Sequence, residues 1–333
     1  MNVSIKSTRL TLDECGMLRP YSSILVTGGA GFIGSHIVDR MLSDGCEVTV
    51  IDNLSTGRLE NVAHHQGKTG FHFIKGDIRN FDLVRNTVQD VDAVFHEAAL
   101  VGMTCSVEDP VLANEVNTTG TLNLLKACVD SDVKRFVYAS SAAVYGKTEA
   151  LPHDENLTPQ PISPYGASKL AAENYVRVFS DVYGLQTVCL RYFNVYGPRQ
   201  TYGPYSGVIT VFINRLLSNQ PPIIYGDGEQ TRDFVDVQDV VNANTLSLKK
   251  GAVGQVFNVA TGVATTVNQL ASMLQEIVGK TSLTPIYMKS RIGEIRYSYA
   301  NVSKARRFLG FNSKVSVEDG LAKLVEWYVL KRN

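Results

Sequence analysis

SILVTGGAGFIGSH, running from Ser23 to His36, decides how the rest of the chain is read. A short apolar run ends in a cluster of glycines, and a helical pattern starts behind it over residues 33–43. Gly28, Gly31 and Gly34 occupy the joint. Glycine reaches positive φ and leaves room for a pyrophosphate to approach the main chain. The amino end of the following helix adds free N–H groups and a partial positive charge. The spacing is GxxGxxG, a variant of the usual GxGxxG dinucleotide fingerprint. Asp52 closes the next strand, 47–52, about 20 residues further on, where a carboxylate accepts the adenosine ribose hydroxyls. Its charge would repel a 2′-phosphate, which favours NAD over NADP. The same carboxylate could instead cap the turn DNLSTG that follows.

Working outward, further strands are read at 70–75, 93–96, 135–140, 186–192 and 255–260, seven with 23–26 and 47–52. Helical stretches lie between them at 82–87, 111–129, 164–183 and 236–248. Such alternation predicts βαβ units and an α/β fold with a Rossmann-type, doubly wound parallel sheet. Strands that are apolar nearly throughout predict helices on both faces. After Asn194 the composition changes: residues 198–207 are rich in Pro, Gly and Tyr, and shorter mixed elements follow, with helices at 267–278 and 317–331. The predicted division is an N-terminal extension over 1–22 and an NAD-binding domain over 23–195, revisited at about 234–260. A smaller mixed α/β lobe takes 196–233 and 261–333.

The composition excludes other classes. The 333 residues carry 32 basic and 32 acidic side chains, so no basic footprint for nucleic acid or an anionic membrane exists. Hydrophobic residues make up 44%, enough for a sizeable core. No apolar run approaches the ~18 residues of a membrane span. The leader lacks the apolar centre of a secretory signal. Cys15, Cys46, Cys105, Cys128 and Cys189 are scattered and form no CxxC pair. That argues against a disulfide framework or a structural metal and for a reducing, cytoplasmic compartment. Cys128 and Cys189 read as buried thiols.

SPYGASK, from Ser163 to Lys169, opens a helix with Ser163 as N-cap and Pro164 in the first turn. Tyr165 and Lys169 are four apart and share a face. An unperturbed tyrosine, with a pKa of about 10, is a poor base at neutral pH. A neighbouring ammonium and the helix amino end both favour its phenolate. Ser141, in ASSAAVYG, sits where the fifth strand ends, and open α/β sheets bind ligands at the carboxyl ends of their strands. Its hydroxyl can hold a substrate oxygen while Tyr165 takes the proton.

These motifs, with GDIRN, HEAAL, RYFNVYGPRQ, TRDFVDVQDVV and RIGEIRYSYANVSKA, resemble the extended short-chain dehydrogenase/reductase family, most closely its UDP-hexose 4-epimerase branch. They run from about Ile24 to Gly310. The resemblance implies Ser141, Tyr165 and Lys169 as catalytic residues. It implies that NAD is lined by Phe32, Ile33, Asp52, Asn53, the DNLSTG residues Leu54, Ser55, Thr56 and Gly57, Asp77, Ile78, Ala98, Ala99, Leu100, Asn117 and Phe193. It also implies that Asn194, Val208, Tyr225, Arg232, Arg291, Glu294 and Ser298 hold a UDP-sugar. Arg232 and Arg291 could clamp a diphosphate and Tyr225 could stack on uracil. Alternatively Asp77 could cap a helix, Tyr225 could be core, Arg232 could pair with Asp233, and Glu294 could face solvent. A homodimer through a four-helix bundle of 111–129 and 164–183 is implied as well. The chain departs from some bacterial members in carrying Val101, where they have a lysine after the HxAA motif, and in its leader.

Related dehydratases and decarboxylases carry acidic residues just after the catalytic hydroxyl, because dehydration needs a further base and acid. Here Ala142 and Ala143 follow Ser141. That favours C4 epimerisation, which needs neither: the 4-hydroxyl is oxidised, the keto sugar turns, and reduction occurs on its other face. The family's gate position aligns with Ser298, between Tyr297 and Tyr299. A small residue there implies UDP-N-acetylglucosamine as substrate, with UDP-glucose as a second one. The alternatives are UDP-glucuronate, whose carboxylate would need a cradle such as Thr104 or Arg199, and a non-catalytic NAD- or nucleotide-sugar-binding regulator.

Overall fold

The computed structural model describes residues 21–200, 207–290 and 295–332. The predicted site residues Arg291 and Glu294, Cys15, and most of the leader lie outside the described residues. The leader's last two residues pack on the body. Tyr21 is buried and its hydroxyl accepts from Arg135 Nε at 3.2 Å, while the Ser22 amide donates to Asp92 at 2.8 Å.

The strands are β1 (Ser23–Thr27), β2 (Glu47–Asp52), β3 (Phe71–Lys75), β4 (Ala93–His96), β5 (Arg135–Ser141) and β6 (Thr187–Tyr192). β7 (Asn194–Tyr196), β8 (Ile223–Tyr225), β9 (Thr231–Arg232) and β10 (Phe234–Asp236) leave the sheet, and β11 (Gln255–Val259) returns to it. β12 (Thr265–Thr266) and β13 (Ile286–Met288) follow. The central sheet is parallel throughout, in the order β11-β6-β5-β4-β1-β2-β3. The seven-stranded doubly wound sheet predicted from the alternation is therefore present. Chain progress reverses between β1 and β4, so the carboxyl ends of these strands flank the crevice where such sheets bind ligands.

Helices α1 (Phe32–Ser43), α2 (Phe81–Thr87), α3 (Met103–Glu108), α4 (Pro110–Asn114), α5 (Gly120–Asp130) and α6 (Pro164–Tyr183) belong to the first half of the chain. Next come α7 (Val208–Leu217), α8 (Val237–Ser247), α9 (Val267–Val278), α10 (Ser303–Leu309) and α11 (Val317–Arg332). Two apolar clusters cover the two faces of the sheet, one around Val26, Val50 and Phe95, the other around Leu25, Val94 and Phe136. Adjacent strand residues divide between them, as period-two geometry requires. Each fully buried aliphatic side chain contributes about 1.5–3 kcal/mol. A third cluster joins α7, α9 and α11 through Phe212, Leu270 and Leu321. Cys128 and Cys189 are buried free thiols, as read.

Helix α6 matches its sequence signals. The Ser163 hydroxyl accepts from the Gly166 amide at 3.1 Å, Pro164 starts the first turn, and Gly184 ends the helix at φ +70°. The helix read over 111–129 is different. It starts at Pro110 and is interrupted at Glu115–Thr119 by a π-helical turn before α5. That turn presents the buried Asn117, whose side chain both accepts from the Leu100 amide (2.8 Å) and donates to the Leu100 carbonyl (3.0 Å). Its amide also donates to Ser168 at 2.9 Å.

Candidate active site

The glycine loop is as tight as its composition demands. Gly28 has φ +68°, and a Cβ there would lie 2.7 Å from the Ala98 amide nitrogen. No side chain caps α1 at Gly31, which leaves the helix amino end to a ligand. Asp52 is buried at the end of β2. Its two oxygens accept from the Ala30 amide (3.0 Å) and the Leu54 amide (2.8 Å). Asp52 thus ties the loop to the DNLSTG turn, and each oxygen keeps a lone pair for a ribose hydroxyl. Burial raises its pKa and these two bonds oppose the rise. Loop, uncapped helix and carboxylate together fit a dinucleotide.

Beyond the carboxyl ends of β2 and β3, Asn53 donates to Asp77 at 3.1 Å. Arg79 donates to both Asp77 oxygens at 2.9–3.0 Å and reaches Glu115 at 3.0 Å. The guanidinium holds the Asp77 carboxyl at about 2. Ile78 is buried and packs on Gly120.

The sheet's carboxyl edge opens into a cavity of about 430 Å³. Of the predicted residues it brings together Phe32, Ile33, Ala99, Ser141, Tyr165, Lys169, Phe193, Asn194 and Val208. Their meeting has a local cause. A Cβ on Gly166 would sit 2.7 Å from the Ala143 carbonyl oxygen, so the first turn of α6 lies directly on the turn after β5. Tyr165 and Ser141 thus line the same cavity. Burial and then the charge of Glu97 raise the Tyr165 pKa, and the Ser141 side chain opposes the rise, so the lowering expected from Lys169 is not seen here. Lys169 Nζ donates to the Ala139 carbonyl at 2.7 Å and stands 5.0 Å above the Tyr138 ring. Burial lowers the Lys169 pKa to about 8, against the attraction of Glu97.

Glu97 was missed by the sequence reading, although HEAAL contains it. Among the described residues it is the one carboxylate lining the cavity. Its Oε1 accepts from the Tyr192 hydroxyl at 2.8 Å. The available signal was a charge placed directly after the apolar strand β4, at a sheet edge where ligands bind.

Tyr225, Arg232 and Ser298 do not line this cavity. Tyr225 closes β8, and its carbonyl accepts from Gln230 at 2.7 Å. Arg232 donates to the Thr231 carbonyl at 2.7 Å. Asp233, considered as its partner, instead accepts from Thr261, Gly262 and Ala300 at 2.6–3.2 Å, binding β10 to the residues after β11 and to the YAN segment. Ser298 is buried, with its amide 3.4 Å from Thr231 Oγ1.

One cluster among the described residues has ligand atoms close enough for a metal: Asp39, His64 and His65. Both imidazoles meet one Asp39 oxygen, at 2.9 and 2.6 Å, and Arg199 takes the other at 2.8 Å. His65 Nδ1 is buried without a partner. A metal-bound histidine donates that nitrogen's hydrogen to an acceptor, so the cluster reads as a hydrogen-bonded tie. No described helix is long and apolar enough to cross a membrane.

The model of the NAD dependent epimerase/dehydratase family matches residues 24–260. A UDP-glucose 4-epimerase of Mycolicibacterium smegmatis is 39% identical over 306 residues, 91% of this chain and 97% of its own. Among solved structures, the UDP-glucose 4-epimerase of Thermotoga maritima with UDP-glucose superposes with a TM-score of 0.89 at 40% identity, covering 93% of this chain and 100% of its own. The UDP-N-acetylglucosamine 4-epimerase of Methanobrevibacter ruminantium, in complex with UDP-N-acetylmuramic acid, also has a TM-score of 0.89, at 38% identity over 94% of this chain and 100% of its own.

Proposed function

The chain belongs to the NAD-dependent epimerase/dehydratase family, and on that premise we propose that it inverts C4 of a UDP-hexose, taking UDP-N-acetylglucosamine best and UDP-glucose less well. One observation carries the reaction class. Ser141, Tyr165 and Lys169 share a cavity in which the residues after Ser141 are alanines. Dehydration or decarboxylation would need further acid–base groups beside that hydroxyl. The cavity's carboxylate, Glu97, enters from the end of β4 and is engaged by Tyr192 and by the charge of Lys169.

The residues divide the work. Ser141 holds the sugar's 4-oxygen beside Tyr165. Tyr165 takes the 4-hydroxyl proton and later returns it to the epimer. Lys169, anchored on Ala139, favours the phenolate by its charge. NAD, when bound, supplies a reversible acceptor for the C4 hydrogen. Gly28, Gly31 and Gly34 with the end of α1 would hold its pyrophosphate, and Asp52 its adenosine ribose. Arg232 and Arg291 would clamp the sugar's diphosphate, Tyr225 would stack on uracil, and Asn194, Val208, Glu294 and Ser298 would face the sugar. The division into a dinucleotide domain over 23–195 and a sugar lobe from 196 onward belongs to the same proposal. So does a homodimer through α6 and the helices between 110 and 130.

The preference for an N-acetylated sugar rests on the small Ser298. UDP-glucuronate is disfavoured because Arg199, the cation considered for its carboxylate, is committed to Asp39 at 2.8 Å, and Thr104 is exposed on α3. Incubation with NAD and each of UDP-N-acetylglucosamine, UDP-glucose and UDP-glucuronate tests this. The first should give the highest kcat/KM for the 4-epimer. Turnover of UDP-glucuronate without turnover of UDP-N-acetylglucosamine would overturn the proposed substrate.

A further inference from the structure

We propose that Glu97 is a positioning residue that sets the pH window in which the Tyr165–Lys169 pair works. The inference rests on the reading of that pair as the acid–base machinery of C4 epimerisation. Its basis is placement. Glu97 follows directly on β4, Lys169 and Tyr165 stand on α6, and all three line one cavity. The carboxylate is fixed from behind: its Oε1 accepts from Tyr192 at 2.8 Å, and Asn244 of α8 donates to the Tyr192 oxygen at 2.7 Å. The carboxylate is thereby tied to β6 and lies in the same cavity as the reacting groups.

The other ionisable groups packed around the pair do not duplicate it. His96, on β4, is buried between Thr27 and Thr121 at 2.7 and 2.8 Å, and burial with the Lys169 charge keeps it neutral, its pKa lowered to about 3. Tyr138 on β5 and Tyr192 on β6 are held neutral by burial. Glu173, on α6, is matched by Arg191 at 2.7 Å. Among the described residues lining the cavity, Glu97 is therefore the carboxylate whose charge acts on Lys169.

The signs follow from the charge. Burial raises the Glu97 pKa to about 7, so the group is ionised above that pH. Ionised, it attracts the proton of Lys169 and opposes formation of the Tyr165 phenolate. Replacing it by a neutral isostere eases ionisation of Tyr165 and also eases loss of the Lys169 proton. Both limbs of the pH–rate profile then move to lower pH.

Glu97→Gln keeps an acceptor for Tyr192 and removes only the charge; Glu97→Asp keeps the charge. In the full chain with NAD and the best substrate of the panel, both limbs of the Glu97→Gln profile should lie about one pH unit below those of the wild type, the size one neighbouring charge produces. Glu97→Asp should move them back. A second readout needs neither substrate nor turnover: tyrosinate absorbance titrated in wild type and Glu97→Gln, each against its Tyr165→Phe counterpart. The Tyr165 contribution should appear at lower pH in Glu97→Gln. A profile lowered in height with both limbs in place, or an unmoved Tyr165 titration, would overturn the inference. Absence of epimerisation in the wild type would instead overturn the reading of the site, and the tyrosinate titration would still decide the role of Glu97.

Discussion

In the proposed function the choice of sugar depends on the orientation of one residue, Ser298. Tyr297, Ser298 and Tyr299 lie outside helix and strand, so no periodicity fixes which of them faces inward. Sequence could name the triplet but not its register. In the structure Tyr297 is 47% exposed and Ser298 8% exposed, so of these two the small side chain is the buried one. Ser298→Tyr is expected to cut kcat/KM for UDP-N-acetylglucosamine at least tenfold while UDP-glucose turnover falls less, since one filled subsite is worth about 1–3 kcal/mol of discrimination. Equal losses on both substrates, read from initial rates, would remove Ser298 from substrate choice. Gly28, Asp52, Ser141, Tyr165 and Lys169 were legible because each sits at a fixed offset from a strand end or helix start. Glu97 was not, because its partner Tyr192 lies 95 positions away and only the folded sheet makes them neighbours.

At the scale of the element, the π-helical turn at Glu115–Thr119 is the feature that periodicity could not supply. An apolar pattern over 111–129 looks like one helix whether or not a turn inside it is widened. The widened turn lies where Asn117 holds both backbone groups of Leu100 and touches Ser168 on α6. It thereby joins the segment after β4 to the helix that carries Tyr165 and Lys169. Asn117→Ala strands these partners, which costs about 1–3 kcal/mol. The urea midpoint should fall, and KM for NAD should rise because the Ala98–Leu100 backbone loses its support. An unchanged midpoint with unchanged NAD affinity would mean that the turn has no such task. The ends of α6, by contrast, were readable from Ser163 and Pro164, since capping chemistry is local.

For the molecule as a whole, the seven-stranded doubly wound parallel sheet was legible from alternation, whereas the strand order and the long-range contacts of Asp233 were not. Asp233 binds residues 28 and 67 positions away, and nothing in TRDF announces those partners. The surface also poses a question of scale. Val111 on α4 and Tyr175, Val178 and Val182 on α6 are 42–68% exposed, and apolar side chains grouped on one face mark an interaction surface. We expect the wild type to sediment as a homodimer, and Val178→Glu with Val182→Glu to sediment as a folded monomer. A wild-type monomer at micromolar concentration would refute the four-helix-bundle dimer.

In the proposed reaction C4 loses and regains its own hydrogen while Tyr165 handles the hydroxyl proton. UDP-N-acetylglucosamine carrying deuterium at C4 measures this directly. UDP-N-acetylgalactosamine is expected with the deuterium still at C4 when the reaction runs in ordinary water. Formation of the epimer with deuterium lost to solvent, or recovery of unchanged substrate alone, would contradict it.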